Sequence, residues 1–125
     1  MREQPSAAEL LEAVTEFLRQ DATPALAGRH AFHKRVAANV LDIVRRELID
    51  GPRAERQEVE RLASLLGMSG DADTLNAELC DRLVAGTVDP DDPALIAHLW
   101  ATTLDTVAID QPNYATYRRE KSGWR

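Results

Sequence analysis

The stretch from His30 to Asp50 (HAFHKRVAANVLDIVRRELID) restricts the fold more than any other part of the chain. At about 100° per residue, Phe32, Val36, Ala37, Val40, Leu41, Ile43, Val44 and Leu48 cover roughly half of a helical cylinder, a wider arc than a surface helix buries. A helix of this kind is expected to be central and packed on more than one side. Glu47 falls inside the arc, between Val36 and Val40 in projection, and Asn39 sits on its edge, one turn from Arg35 and Ile43.

The remaining segments read as shorter helices separated by turn chemistry. Ser6 with Glu9 three residues on is a capping-box pattern, predicting a first helix from about Ala7 to Gln20 with Leu10, Leu11, Val14, Phe17 and Leu18 on one face. Residues 21–28 (DATPALAG) should break the pattern, because Pro24 disfavours helical dihedrals at Thr23. Gly51 and Pro52 are expected to end the central helix and start a third, running to about Leu66 with Val59, Leu62, Ala63 and Leu66 inward and Arg53, Glu55, Arg56, Glu58, Glu60 and Arg61 solvated. After the turn GMSGD, Asp71 or Asp73 can cap a fourth helix whose core row is Leu75, Leu79 and Leu83 and which closes at Gly86. Pro93 behind Asp92 starts a fifth helix to about Asp110, with Ile96, Trp100, Leu104 and Val107 as its apolar row, and Pro112 stops it.

These patterns predict an all-α fold, a single-domain bundle of about five helices over residues 1–110, followed by a basic aromatic tail over 111–125. Strand-forming runs are missing from the sequence. Formal net charge is −6, with +3 in the tail (Arg118, Arg119, Lys121 and Arg125 against Glu120) and −9 in the body. An acidic body repels phosphate backbones, so no nucleic-acid partner is expected. The tail sets Tyr114, Tyr117 and Trp124 among its cations and is expected to pack loosely. No apolar run reaches the length of a membrane span, and MREQPSAAEL is too polar for a signal peptide, so a cytoplasmic protein is expected.

Few residues offer chemistry. Cys80 is the only cysteine, which excludes an intrachain disulfide and a CxxC zinc site, and its place beside Leu79 and Leu83 predicts a buried, inert thiol. His30 and His33 stand at metal-ligand spacing without an evident third ligand, so neither metal nor cofactor is expected. His33 reads as a partly buried histidine on the apolar arc. Residues 59–83 have the outline of a helix-turn-helix, but the turn is too long and the second helix carries Glu78 and Asp81. His98, Thr102 and Asp105 form a polar stripe on the fifth helix. Glu47, if enclosed, needs a cationic partner such as Arg29, Arg46 or Arg82. The candidate ligand- or partner-binding set is therefore His33, Arg35, Asn39, Arg46 and Glu47, with no catalytic residue assigned.

The segments SAAELLEAVTEFL, PALAGRHAFHKRVAANVLDIVRREL, LNAELCDRLVAG and DPALIAHLWATTLDTVAIDQPNY together resemble an uncharacterised bacterial family of small helical domains of unknown function. Its members are encoded near aminoglycoside-phosphotransferase-like and acyl-CoA-dehydrogenase-like proteins. The resemblance implies a non-catalytic accessory or protein-interaction domain serving a kinase-like or acyl-CoA-dehydrogenase-like partner, with a homo-oligomer compatible. The alternative is a domain binding a small acyl or phosphorylated ligand, or a minor enzyme, using polar residues of the central helix.

Overall fold

The computed structural model describes residues 5–20 and 28–123. Five helices and no strand are found among them: α1 (Ala7–Gln20), α2 (Arg29–Leu66), α3 (Ala72–Ala85), α4 (Pro93–Asp110) and α5 (Ala115–Lys121). The fold is all-α, as the patterning requires. Most of the expected linker 21–28, and Trp124 and Arg125 of the tail, lie outside the described residues.

Local signals set most helix ends. The Ser6 amide donates to Glu9 Oε2 at 2.7 Å and the Glu9 amide returns a bond to Ser6 Oγ at 3.3 Å, so α1 starts on its capping box. The Ser6 amide, joined by the Ser6 hydroxyl donating to the same Oε2 at 2.8 Å, holds the Glu9 carboxyl below its ordinary range. Asp71 caps α3 by accepting from the Thr74 amide at 2.8 Å, and Asp92 caps α4 through the Ala94 amide at 2.8 Å. Gly86 ends α3 with φ 73°, a left-handed conformation that a side chain would strain.

One boundary differs from expectation. The central and third helices are one helix of 38 residues, with Pro52 inside it. A proline pushes the preceding residue out of helical dihedrals by crowding that residue's amide and Cβ, and Gly51 has no Cβ. Gly51 therefore stays helical, and α2 loses only the bond that a residue at 52 would have donated to the Leu48 carbonyl. The fifth helix comes instead from the tail, where α5 forms and Thr116 and Tyr117 are half-buried rather than loose.

The chain divides into two compact units, 1–51 and 52–125. Unit 1 is a helical hairpin in which Arg19 meets Asp42 at 2.6 Å and Arg45 meets Glu12 at 3.7 Å, pairings that require α1 and the first part of α2 to run antiparallel. Small residues line this contact: Ala38 and Thr15 are buried, and the Thr15 hydroxyl donates to the Leu11 carbonyl at 2.7 Å. Unit 2 holds the larger core, Leu62 and Leu66 of α2, Leu75 and Leu79 of α3 and Leu95 of α4, ringed by Val59, Ala63, Leu65, Met68, Leu83 and Val88. Each fully buried leucine contributes about 2 kcal/mol. Arg82 links α3 to the end of α2, donating from Nη1 to the Leu66 carbonyl at 2.9 Å while its Nε meets Glu78 at 2.6 Å.

Candidate functional site

Two of the five candidate residues come together in unit 1. Arg35 and Asn39 line a cleft of about 420 Å³ with Arg19, Ala31 and Lys34. Arg19 is held in place there, its Nη2 donating to Asp42 at 2.6 Å and to Asn39 Oδ1 at 3.2 Å. The cleft thus brings together the guanidinium groups of Arg19 and Arg35, the Lys34 ammonium and the Asn39 amide, with Asp42 offsetting part of the Arg19 charge, a set suited to a phosphate or carboxylate.

The other three lie elsewhere. The expectation that Glu47 is enclosed and ion-paired is corrected: it is exposed, and its Oε1 lies 2.8 Å from where a Cβ on Gly51 would stand. His33 is also exposed, its ring tilted against Phe32 at 5.9 Å between centroids. Arg46 is half-buried and engaged in its own contact.

The apolar arc of α2 is not enclosed either. Phe32, Val36, Val40, Val44 and Leu48 are each about half exposed, as are Leu10, Val14 and Phe17 of α1. At about 100° per residue the exposed row of α2 centres on Val40, and Asp42 and Arg45, which pair with α1, lie on the opposite side of α2. α2 faces α1 through Ala31, Lys34, Ala38 and Asp42, nearly half a turn away from the centre of its apolar arc. Periodicity defines the arc, and the charge pairs with Glu12 and Arg19 tie the opposite side of α2 to α1.

Unit 2 contains a polar cluster that sequence reading leaves unassembled. The stripe His98, Thr102 and Asp105 turns inward, and Arg61, expected on a solvated face, donates from Nη2 to the Thr102 hydroxyl at 3.1 Å and lies 3.7 Å from Asp105. Glu58 accepts from Asn76 Nδ2 at 2.9 Å beside it. His98 is only 4% exposed. Burial holds its pKa below the ordinary 6.5, the Arg61 charge adds to this, and Glu58 opposes it in part. His98 Nδ1 and Arg61 Nε are buried with no hydrogen-bond partner among the described residues. The spacing of His98, Thr102 and Asp105 along α4 was the available signal; nothing in the spacing of Arg61 pointed to them.

With α4 turned this way, Ile96 and Trp100 of the apolar row expected inside face out, while Leu104 and Val107 of that row are part-buried. Ile96, Leu99 and Trp100 are about half exposed. Leu95, His98 and Ile109 are its buried residues. Cys80, expected to be buried, is exposed, because Leu75 and Leu79 take the inward face of α3 and Cys80 is turned about 100° from Leu79. Among the described residues no group of three or more His, Cys, Asp or Glu side chains converges as a metal site. No described helix is long and apolar enough to cross a membrane.

Residues 24–114, most of the chain, match the family model described as a domain of unknown function, DUF6285. The chain belongs to the DUF6285 family. The matched span contains all of α2, α3 and α4, hence Arg35, Asn39 and the whole cluster around Arg61, while α1 with Arg19 precedes it and α5 follows it. No curated protein and no solved structure matches the chain.

Proposed function

We propose that this DUF6285 member is a non-catalytic accessory domain that docks a protein partner, kinase-like or acyl-CoA-dehydrogenase-like, through the outer face of α4. One observation carries the reading: Ile96, Leu99 and Trp100 project from a helix that is apolar on both sides, and a helix of that kind normally has cover on both. Trp100 is 52% exposed, and tryptophan is among the residues that most often dominate binding energy at the centre of an interface. The reading includes a location in the bacterial cytoplasm, where an exposed thiol such as Cys80 stays reduced.

Co-expression with the products of the neighbouring genes, followed by capture on the tagged chain, tests the proposal. A kinase-like or dehydrogenase-like protein is retained by the unaltered chain and lost with Trp100→Ala or Ile96→Asp. Retention by both variants would remove α4 from the docking surface, and failure to retain either neighbour would end the reading.

A second reading rests on the cationic cleft at Arg19, Lys34, Arg35 and Asn39, which suits a phosphorylated ligand. Titration with inorganic phosphate and with coenzyme A, followed by calorimetry, addresses it. Binding that disappears in Arg35→Ala supports the cleft, and heat unchanged by that substitution counts against it.

A further inference from the structure

The exposed arc of α2 has a pattern that a generic sticky face does not need. Val40 stands at its middle, 51% exposed. His33 and Glu47 lie seven residues to either side, each within about 20° of Val40 in projection, because seven residues are close to two full turns. Val36 and Val44 lie four residues to either side. The face therefore reads alike outward from Val40 in both directions, except that one end carries a histidine and the other a carboxylate. Neither Glu47 nor His33 makes a hydrogen bond or ion pair among the described residues; His33 only touches the Phe32 ring.

We propose that this face is the interface of an antiparallel homodimer in which two copies of α2 cross at Val40. That crossing sets each His33 against the partner's Glu47 and each Val36 against the partner's Val44, so the His33–Glu47 contact arises twice from a single two-fold operation. In a parallel crossing, like would meet like at both ends. The half-exposed side chains Phe32, Val36, Val40, Val44 and Leu48 supply the apolar part of the contact. Asp42 and Arg45, which pair with Arg19 and Glu12, lie on the other side of α2 from Val40 and are left undisturbed. The occupant is a second copy of this chain, and the inference stands apart from the docking role of α4.

Sedimentation equilibrium and disulfide trapping on the full chain test the arrangement. The unaltered chain sediments as a dimer. Val40→Glu, which sets two carboxylates face to face, gives a monomer of unchanged helicity. Glu47→Lys raises the dissociation constant by about tenfold or more, and His33→Glu combined with Glu47→His restores it. In a Cys80→Ser background, Val40→Cys forms a covalent dimer on mild oxidation and Val36→Cys alone does not, because its neighbour across the interface is Val44. A monomer at every concentration overturns the proposal, including one whose face is covered by a different protein. Equal cross-linking of Val36→Cys and Val40→Cys overturns the antiparallel register. The trapping variants read the interface directly even if Val40→Glu were to lose its fold.

Discussion

Arg61 on α2 donates to the hydroxyl of Thr102 on α4 at 3.1 Å, in the same reach that brings it 3.7 Å from Asp105. The pairing draws a polar stripe inward and turns the aromatic and aliphatic side of α4 out. Thr102→Val should lower unfolding stability by about 1 kcal/mol and Arg61→Met by about 1–3 kcal/mol, the larger value reflecting the partners left behind. The double variant, followed by urea unfolding, should cost less than the sum of the two single changes. Strict additivity would mean that the bond contributes nothing.

His98 makes stability depend on pH in a defined direction. Its folded pKa lies below 6.5, so the unfolded chain takes up the proton first as pH falls. The part of the stability owed to a neutral imidazole is complete above the unfolded pKa and declines as pH drops below about 6.5, levelling off once the folded imidazole also titrates. Arg61 and Glu58 are the charged groups that act on it. Urea midpoints measured from pH 7.5 to 5 should fall for the unaltered chain and fall less for His98→Gln. Glu9 and Asp71 act in a separate window: their carboxyls are held below 4.5 and 3.8, so their caps weaken only as pH falls further.

Pro52 leaves the Leu48 carbonyl without its helical donor. Pro52→Ala should restore the bond and stabilise α2 by roughly 1–3 kcal/mol, with a small gain in helicity by circular dichroism. Loss of stability would show that the proline is held by contacts outside the helix.

Burial separates two apolar residues of the same helix. Leu62 is fully buried in the core of unit 2, so Leu62→Ala should cost about 2–5 kcal/mol. Val40→Ala should change the stability of an isolated chain by no more than about 0.5 kcal/mol. Thermal melts of the two variants at low protein concentration make the comparison.

Helix ends were the most legible part of the sequence. Ser6 with Glu9, Asp71, Gly86 and Asp92 each act within a few residues, and local chemistry of that kind does not wait on the rest of the fold. The Gly51–Pro52 junction misled because each residue alone is a terminator, whereas together the missing Cβ of the first relieves the clash imposed by the second. Facing direction was the least legible. Periodicity groups Ile96 with Trp100 and His98 with Thr102, yet on a helix apolar nearly all round only the distant Arg61 decides which group turns in. The site residues divide the same way. Arg35 and Asn39 share a cleft because they are one turn apart, while Glu47, assigned a buried partner from its neighbours in projection, lies in the open beside Gly51.

The proline within α2 also acts as a firebreak. Fraying that starts at either end of the long rod travels rung by rung and meets a gap where the Leu48 carbonyl has no amide below it. Unwinding on one side is thereby insulated from the other, and the gap coincides with the seam between residues 51 and 52 that separates the hairpin from the unit built of the rest of α2 with α3, α4 and α5. A chain built this way can loosen one half to admit a visitor while the other half keeps its amides shut, and amide exchange should report two blocks of protection meeting at that seam.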